Sequence, residues 1–425
     1  MRIASARRLR GTCSVPGDKS ISHRAALIAS LAEGVSTLEN FSTAADCAAT
    51  LSCLAGVGIR LGQDGTTVRI HGGKLRPPNR PLNCGNSGST MRMMAGRLAS
   101  EDFECTLTGD TSLSERPMAR IIEPLEMMGA RLRSDNGRPP LTIHGSDRLA
   151  AIEYESSAPS AQVKTAVLLA GLRAQGRTAI RESVGTRDHT ERMLQWFGVA
   201  LETGSTVTAV NGPARLFAAH LKIPGDFSSA AYFIAAAAML PASDIEIVGV
   251  GLNSTRTQLI DVLRSCGAEI QTVDVREPCN EPVGTIRVRG CTFQHASSNV
   301  IEGPKTAALI DELPLLAVVG TQVPGGLVVR DAGELRFKET DRVAATVKNL
   351  RAMGARIEEF EDGFSVDGPM RLQGATIQTF GDHRIAMAFS VAALVAEGES
   401  EITDAASVAV SFPDFFARLE SLVER

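Results

Sequence analysis

Charged and hydroxyl side chains recur in this sequence where apolar stretches begin. Lys19, Ser20 and Arg24 open the first such stretch, and similar residues open five later ones. The first turn of a helix carries unpaired backbone N–H groups and the positive end of the helix dipole, so it attracts anions. Several such starts predict a site for a small molecule with two phosphates, or with a phosphate and carboxylates. The other members of this set are Asn86, Gly88, Ser89, Arg92, Arg116, Ser160, Gln162, Lys164, Arg187, His189, Ser228, Ser229, Asp311, Glu312, Lys338, Glu339, Asp341, Arg342, Asp382, His383 and Arg384.

Two carboxylates of this set could transfer protons. Asp311 opens an apolar stretch, and Glu339 lies between Lys338 and Arg342. Two carboxylates and a lysine beside bound anions suit proton transfer at carbon and at oxygen. The sequence contains no P-loop, H-E-x-x-H or G-x-S-x-G motif, which argues against nucleotide hydrolysis, zinc-dependent proteolysis and α/β-hydrolase chemistry.

Some of these residues also have a purely structural interpretation, whereas Lys19 and Arg24, charged residues at the start of an apolar helix, need partners. Ser20, Ser160 and Ser228 could be helix N-caps. The stretch 338–342 could be a solvated helix start, and Asp382 with His383 could be a structural pair. The recurrence of such residues at equivalent points of an internal repeat favours a binding site instead.

The elements that must position these side chains repeat along the chain. A leucine followed four residues later by glycine occurs five times after an amphipathic stretch, with spacings of 71, 69, 69 and 87 residues between the glycines. This pattern predicts a helix ended by a C′ glycine, then a strand and often a second strand. The five glycines are Gly58, Gly129, Gly198, Gly267 and Gly354.

A second kind of helix, apolar nearly all round, precedes each copy and is therefore predicted to be buried. The predicted unit is a buried helix, a strand, an amphipathic helix and two strands, about 70 residues in all. The chain ends before the last two strands of the sixth unit, after an amphipathic helix expected at 412–424. The N-terminal run 2–15 can supply the missing partner. The buried helices are expected to begin near Ser20, Ser89, Ser160, Ser228, Asp311 and Asp382.

Two similar segments divide these six units into two lobes. Pro16-Gly17-Asp18 and Pro224-Gly225-Asp226 lie 208 residues apart, which is three repeats. One lobe is predicted over 17–224, and the other over 1–16 with 225–425, closed by the N- and C-terminal segments. Ligands favour interdomain clefts, and the two Pro-Gly crossings could let the lobes close on a substrate.

Composition excludes several classes of partner. The 425 residues carry a net charge of −4 and only 4% aromatic residues, which argues against nucleic-acid binding. The longest apolar run, 230–240, is too short to span a membrane. No apolar stretch follows the N-terminal arginines, so a signal peptide is not expected. The eight cysteines form no C-x-x-C pair, so neither zinc nor disulfides are expected, and a cytoplasmic location is predicted.

Eight segments of the chain resemble the 5-enolpyruvylshikimate-3-phosphate (EPSP) synthase family, in the family's order and over almost the whole length. The resemblance implies an α/β fold, a two-lobed inside-out α/β barrel built from six βαβαββ-type repeats, three per lobe. The segments are PGDKSISHRA (16–25), GNSGSTMR (85–92), SERPM (114–118), SAQVKTAVLLAG (160–171), TRDHTERML (186–194), KETDR (338–342), GDHRIAMA (381–388) and SFPDFF (411–416).

The resemblance also implies an activity. It is the transfer of the enolpyruvyl (1-carboxyvinyl) group of phosphoenolpyruvate to the 5-hydroxyl of shikimate 3-phosphate, with release of phosphate, in aromatic amino-acid (chorismate) biosynthesis. The reaction passes through a tetrahedral ketal phosphate intermediate and uses no metal or organic cofactor. A monomer acting on these two small molecules, without nucleic acid or membrane, is expected.

The family motifs imply a role for individual residues. Asp311 would be the base for the 5-hydroxyl, and Glu339 and Lys19 are candidates for protonating the methylene carbon. Shikimate 3-phosphate would be held by Lys19, Ser20, Arg24, Ser160, Ala161, Gln162, Thr186, Arg187, Asp311 and Lys338. Phosphoenolpyruvate would be held by Lys19, Gly88, Arg116, Gln162, Arg342, Asp382 and Arg384.

This chain departs from the pattern of some family members at two positions. Ala161 stands where some members have serine, which removes one hydroxyl contact. Val410 stands where some have lysine, which removes one cation from the phosphoenolpyruvate side. Gly88 is a glycine, and in the family an alanine at this position excludes the herbicide glyphosate, so competitive inhibition by glyphosate is expected.

Three alternatives share parts of this pattern. UDP-N-acetylglucosamine enolpyruvyl transferase usually needs a loop cysteine, whereas the corresponding loop here is 111–116 and Cys105 lies upstream. RNA 3′-phosphate cyclase would need an adenylylated histidine and a more basic surface. A non-catalytic phosphometabolite-binding protein would lose Asp311 or Glu339, and both are present.

Overall fold

The computed structural model describes residues 1–296 and 298–425, which divide into two compact units. The first unit comprises Gly17–Ile223 and Pro278–Glu281. The second comprises Met1–Pro16, Pro224–Glu277 and Pro282–Arg425. The chain begins with two strands of the second unit, β1 (Arg2–Ala4) and β2 (Arg8–Ser14).

The first unit contains three successive copies of a helix–strand–helix–hairpin pattern. Its elements are α1 (Lys19–Ala29), β3 (Val35–Glu39), α2 (Ala45–Gly56), β4 (Arg60–Asp64), β5 (Thr67–His71), β6 (Leu82–Asn83), α3 (Gly88–Leu98), β7 (Glu104–Thr108), α4 (Thr111–Ser114), α5 (Ala119–Met127), β8 (Arg131–Asp135), β9 (Arg138–His144), β10 (Glu153–Glu155), α6 (Ala161–Gly171), β11 (Gly176–Arg181), α7 (His189–Trp196), β12 (Leu201–Thr203), β13 (Val207–Gly212) and β14 (His220–Lys222).

Three four-stranded sheets of the first unit share one strand order. A short strand pairs in parallel with the strand that follows a buried helix, and that strand pairs antiparallel with the second strand of a hairpin. The orders are β14-β3-β5-β4, β6-β7-β9-β8 and β10-β11-β13-β12. Since β14 comes from the end of the unit, it completes the first sheet.

The second unit contains three more copies of the pattern, with 3₁₀ turns at 333–337 and 405–410. A further 3₁₀ turn, at 278–280, belongs to the first unit. Its remaining elements are α8 (Phe227–Met239), β15 (Asp244–Gly251), α9 (Gln258–Ser265), β16 (Glu269–Arg276), β17 (Val283–Arg289), β18 (Val300–Ile301), α10 (Pro304–Ala308), α11 (Leu313–Gly320), β19 (Leu327–Val329), α12 (Arg342–Ala352), β20 (Ile357–Phe360), β21 (Gly363–Val366), β22 (Thr376–Ile377), α13 (His383–Val395), β23 (Glu399–Ile402), α14 (Phe415–Leu422) and β24 (Val423–Glu424).

The N-terminal strands complete two sheets of the second unit. β1 pairs antiparallel with β23. It therefore takes the position that a hairpin strand occupies in the other sheets and that the last repeat lacks. β2 pairs in parallel with β15 and antiparallel with β24. The sheet orders are β1-β23-β22, β16-β17-β15-β2-β24 and β18-β19-β21-β20.

The apolar helices lie in the cores of the two units. All thirteen residues of α8 are buried, and so are all eight of α11. The same type of helix occurs at α1, α3, α6 and α13, so the prediction of six buried helices is confirmed. The expected start near Asp311 was two residues too early, because α11 begins at Leu313.

The amphipathic helices end as the leucine–glycine pattern predicts. Each of the five glycines has a positive φ, between 84° and 106°, a conformation that favours glycine. The prediction of a helix over 412–424 was too long, since α14 covers Phe415–Leu422. Within the described residues, no helix is long and apolar enough to cross a membrane.

Candidate active site

The start of α1 carries the first cation of the predicted set. Asp18 caps the helix, because its carboxylate accepts a hydrogen bond from the Ile21 amide. The Nζ of Lys19 lies 2.8 Å from Oδ2 of Asp46, in the first turn of α2. Both side chains are mostly buried, so Asp46 fixes the direction of the lysine ammonium.

Arg24 connects three helices of the first unit. It is 2% exposed. Its Nε donates to Oγ1 of Thr190 on α7 at 2.8 Å. Its Nη1 donates to the Ser20 carbonyl at 3.0 Å, and its Nη2 to the Ala161 carbonyl at 3.2 Å. The arginine therefore brings two motif segments, at Ser20 and Ala161, to one place in the first unit.

Gln162 connects the starts of α6 and α3. Its Nε2 donates to Oγ of Ser89 at 2.8 Å, while its Oε1 accepts from Nη1 of Arg92 at 2.9 Å. Ser160 is the N-cap of α6, so the capping interpretation is correct there. It is wrong for Ser20 and Ser228, because Asp18 and Asp226 are the caps of α1 and α8.

Arg116 lies beside the start of α3 and is 7% exposed. Its Nη2 donates to Oδ1 of Asn86 at 2.7 Å and to Oγ of Ser112 at 3.1 Å. A Cβ on Gly88 would lie 2.9 Å from Nη1 of Arg92 and 3.4 Å from Nη1 of Arg116. The absence of a side chain at Gly88 thus leaves room for two guanidinium groups.

Thr186 lies in the segment between β11 and α7, with both its backbone and its side chain held. Its Oγ1 donates to Oε1 of Glu182 at 2.6 Å, and its carbonyl accepts from Nζ of Lys164 at 3.4 Å. Arg187, the next residue, is half-buried. The first unit therefore gathers Lys164, Thr186 and the N-terminal turn of α6 in one region.

Arg342 is the centre of the charged cluster in the second unit and is 1% exposed. Its Nε donates to Oδ2 of Asp382 at 2.7 Å, and its Nη2 donates to Oε2 of Glu339 at 2.5 Å. Its Nη1 lies 3.8 Å from Oδ1 of Asp311. The interpretation of 338–342 as a solvated helix start is therefore wrong for Arg342, although Asp341 does cap α12.

Arg384 contacts Asp311 from the first turn of α13. Its Nη2 lies 3.2 Å from Oδ2 of Asp311, and its Nη1 donates to the Asp311 carbonyl at 3.2 Å. Asp311 thus lies between two arginines, Arg342 and Arg384. The second unit brings together two carboxylates suited to proton transfer and two permanent cations.

Asp382 is fully buried, and both its oxygens accept hydrogen bonds. Oδ1 accepts from the Arg384 amide at 2.8 Å and from Nη2 of Arg342 at 3.2 Å, while Oδ2 accepts from Nε of Arg342. Asp382 therefore fixes the guanidinium of Arg342 and caps the first turn of α13, which carries Arg384.

Burial and neighbouring charges shift the pKa values of three predicted site residues in this unit, Arg342, Arg384 and Lys338. Burial opposes the charge of Arg342, but Asp382 and Glu339 outweigh it and raise the pKa. Burial likewise opposes the charge of Arg384, and Asp311 and other neighbours raise its pKa. Burial lowers the pKa of Lys338, although Asp311 and Glu334 act in the opposite direction. Lys338 therefore holds its proton less tightly than an ordinary lysine.

Several partners of the predicted residues were not recognised in the sequence. Asp46 gave only a weak signal, an acid in the first turn of an amphipathic helix. Thr190 lies inside a family motif but received no role. Glu182 had no signal, because its contacts with Thr186 and Lys164 depend on tertiary packing. Among residues 1–296 and 298–425, no group of three or more His, Cys, Asp or Glu side chains could hold a metal ion.

Comparisons with known proteins match the whole chain. The family model for EPSP synthase (3-phosphoshikimate 1-carboxyvinyltransferase) matches residues 3–419. The 3-phosphoshikimate 1-carboxyvinyltransferase of Koribacter versatilis (strain Ellin345) is 48% identical over 100% of this chain and 99% of the relative. That of Gloeobacter violaceus (strain ATCC 29082 / PCC 7421) is 47% identical over 98% of this chain and 97% of the relative.

A solved structure shows the same fold. The EPSP synthase of Acinetobacter baumannii superposes with a TM-score of 0.87 at 36% identity, covering 99% of this chain and 97% of that one. The predicted two-lobed α/β fold is confirmed. Fold and relatives together define a transferase of carboxyvinyl groups. The chain belongs to the EPSP synthase family.

Proposed function

We infer that this protein transfers the enolpyruvyl group of phosphoenolpyruvate to the 5-hydroxyl of shikimate 3-phosphate and releases phosphate, a step of aromatic amino-acid biosynthesis. The family match over residues 3–419 supports this inference. The geometric observation that carries this inference is the position of Arg342. Its guanidinium nitrogens lie within 3.8 Å of carboxylate oxygens of Asp311, Glu339 and Asp382. A buried cation shared by potential acids and bases suits a reaction in which protons move beside a leaving phosphate.

We propose that the ten residues implied by the family motifs hold shikimate 3-phosphate. The first-unit residues are already linked, since Arg24 hydrogen-bonds the carbonyls of Ser20 and Ala161. Hydroxyl, amide and cationic groups of this kind match a phosphate and a polyhydroxylated ring. The set is Lys19, Ser20, Arg24, Ser160, Ala161, Gln162, Thr186 and Arg187 from the first unit, with Asp311 and Lys338 from the second.

Phosphoenolpyruvate carries a phosphate and a carboxylate, which need several cations. We assign Lys19, Arg116 and Gln162 of the first unit, with Arg342 and Arg384 of the second, as direct ligands. Gly88 belongs to this set because it has no side chain that would displace the guanidinium groups of Arg92 and Arg116. Asp382 acts indirectly, because it orients the Arg342 guanidinium and caps the first turn of the helix that carries Arg384.

The chemistry needs a base for oxygen and an acid for carbon. Asp311 takes the proton of the 5-hydroxyl while that oxygen bonds to C2 of phosphoenolpyruvate, and Glu339 or Lys19 donates a proton to C3. The tetrahedral intermediate then returns a C3 proton to the group that donated it, while the C2–O bond to phosphate breaks. The proton taken up by Asp311 leaves with the phosphate. The cations stabilise the departing phosphate.

In the structure the same cations are paired with carboxylates. Lys19 contacts Asp46, Arg342 contacts Asp382 and Glu339, and Arg384 contacts Asp311. These pairs hold the charged side chains in place, so the site loses little side-chain entropy when a substrate binds. We further propose a cytoplasmic monomer. The free cysteines, six of them buried, support a reducing compartment.

The test is phosphate release from phosphoenolpyruvate with and without shikimate 3-phosphate. We expect release only with the acceptor, and a loss of 100-fold or more, on the order expected for a general base, in Asp311→Asn. Asp367→Asn, which alters an exposed carboxylate of the same unit, serves as the matched control. Release without the acceptor, or only with UDP-N-acetylglucosamine, would refute the assignment. Binding without any turnover would favour a non-catalytic protein.

A further inference from the structure

A buried charged triad in the first unit has no part in the proposed chemistry. The Nζ of Lys164 lies 2.7 Å from Oε1 of Glu191 and 3.0 Å from Oε2 of Glu182. The three side chains are 3%, 8% and 4% exposed. Desolvating charges is costly, and apolar residues of similar volume are often as stable as a buried ion pair. Stability alone therefore gives no reason for a lysine at this position.

The triad connects two segments that we assign to shikimate 3-phosphate. Lys164 lies in the first turn of α6, and its amide donates to the Ser160 carbonyl at 3.0 Å. Its ammonium also donates to the Thr186 carbonyl, while Glu182 accepts from Oγ1 of Thr186. Lys164 and Glu182 thus hold the backbone and the side chain of Thr186 relative to the start of α6.

Glu191 pairs with the same lysine but points to a different part of the unit. Its Oε1 accepts from Oγ1 of Thr208 on β13 at 3.1 Å. Its Oε2 is buried and has no hydrogen-bond partner among the described residues. None of its hydrogen bonds reaches Thr186. The two glutamates therefore make similar ion pairs with Lys164, but only Glu182 also hydrogen-bonds Thr186.

We propose that Lys164, acting with Glu182, is a positioning residue for shikimate 3-phosphate. This inference rests on the proposed function, because it takes Thr186 and Arg187 as substrate ligands. The residues between β11 and α7 form no regular structure. Such a segment loses conformational freedom when it closes on a ligand, and charge-assisted hydrogen bonds formed beforehand reduce that loss.

The two glutamates provide a matched pair of variants. Glu182→Gln and Glu191→Gln each remove one negative charge next to Lys164, in side chains of nearly equal shape. We expect Glu182→Gln to raise the dissociation constant of shikimate 3-phosphate about 10-fold, the effect of one weakened charge-assisted hydrogen bond. Glu191→Gln should change it less than about twofold. The measurement is calorimetric titration without phosphoenolpyruvate, with the unfolding midpoint of each variant as a check of folding.

The KM values separate positioning from a general loss of structure. In Glu182→Gln and Lys164→Met, KM for shikimate 3-phosphate should rise about 10-fold, while KM for phosphoenolpyruvate changes less than about twofold. Lys164→Arg should recover part of the affinity. If Lys164→Met does not fold, Glu182→Gln compared with Glu191→Gln still decides the question, because both variants keep the lysine.

The possible failures are distinguishable. Equal effects of Glu182→Gln and Glu191→Gln, or parallel rises of both KM values, would overturn the positioning role and leave the proposed function intact. A wild-type protein that does not bind shikimate 3-phosphate at all would refute both. The single tryptophan, Trp196 on α7, offers a second readout, since its emission reports on the helix that follows the Thr186 segment.

Discussion

Arg342 and Asp382 form a bidentate pair in which both side chains are buried. Nε of the guanidinium lies 2.7 Å from Oδ2, and Nη2 lies 3.2 Å from Oδ1. Asp382 also accepts from the Arg384 amide. One carboxylate therefore fixes the plane of one arginine and the first turn of the helix that carries the other.

The first prediction concerns this pair. Asp382→Asn would turn an amide N–H toward Nε of Arg342, so one hydrogen bond is lost and the arginine is displaced. We expect KM for phosphoenolpyruvate to rise about 10-fold and the free energy of unfolding to fall by about 3 kcal/mol. Steady-state kinetics and urea unfolding measure the two effects. Asp367→Asn is the control, and similar behaviour of the two variants would contradict the prediction.

The second prediction concerns Gly88. A methyl group there would lie 2.9 Å from the Arg92 guanidinium and 3.4 Å from that of Arg116, so Gly88→Ala must displace one or both. We expect a several-fold higher KM for phosphoenolpyruvate, on the order of 1 kcal/mol of lost binding, and weaker inhibition by glyphosate. Gly73→Ala is the control, because a Cβ there meets nothing within 4 Å. Equal inhibition of wild type and Gly88→Ala would disprove this account.

The third prediction concerns stability in acid. Burial, with Lys19 and Arg24 nearby, holds the pKa of His23 well below 6.5. The folded protein keeps this histidine neutral, whereas the unfolded chain binds a proton as the pH falls through about 6.5. Stability is therefore lost on acidification, by about 1.4 kcal/mol between pH 7.5 and 5.5.

Urea unfolding of His23→Gln at the two pH values measures this contribution. The variant should lose less stability on acidification than the wild type, by about 1.4 kcal/mol. The difference between wild type and His23→Gln in this pH dependence isolates His23, since all other titrating residues are unchanged. Ser52→Ala, which changes an exposed side chain that does not titrate, should keep the wild-type dependence. An unchanged dependence in His23→Gln would show that His23 is not the group responsible.

The fourth prediction concerns Lys338. Because burial lowers its pKa below 10.5, the ammonium loses its proton at a lower pH than an exposed lysine does. Affinity for shikimate 3-phosphate should therefore fall as the pH rises through that lowered pKa. Calorimetric titration between pH 7 and 10 should show this fall in the wild type and in Lys305→Met, an exposed control. A fall of the same size in Lys338→Met would be incompatible with the assignment.

Local patterns predicted the secondary structure well. The five glycines after the amphipathic helices adopt a positive φ, as helix-ending glycines do, because that conformation is a property of a few neighbouring residues. The all-round apolar helices are buried for a similarly local reason, since no face of α8 offers water a polar surface. The boundary errors at α11 and α14 are a few residues long, as expected where helix ends depend on packing.

The candidate site was only half predictable. Its cations stood out because they recur at helix starts, and the family motifs suggested their roles. Their carboxylate partners did not stand out, because an ion pair leaves no local pattern when its members are distant in sequence. Asp46 lies 27 residues from Lys19, and Asp382 lies 40 from Arg342.

The sequence by itself therefore determined the repeat, the buried helices, the helix starts and the family. These follow from periodicity, capping and motif identity, which are read along the chain. Only the tertiary structure decided which charges meet, that Asp382 orients arginines, and that Glu182 rather than Glu191 holds Thr186. Those choices depend on distances of a few ångströms between side chains on different elements, because a hydrogen bond requires close approach and correct direction.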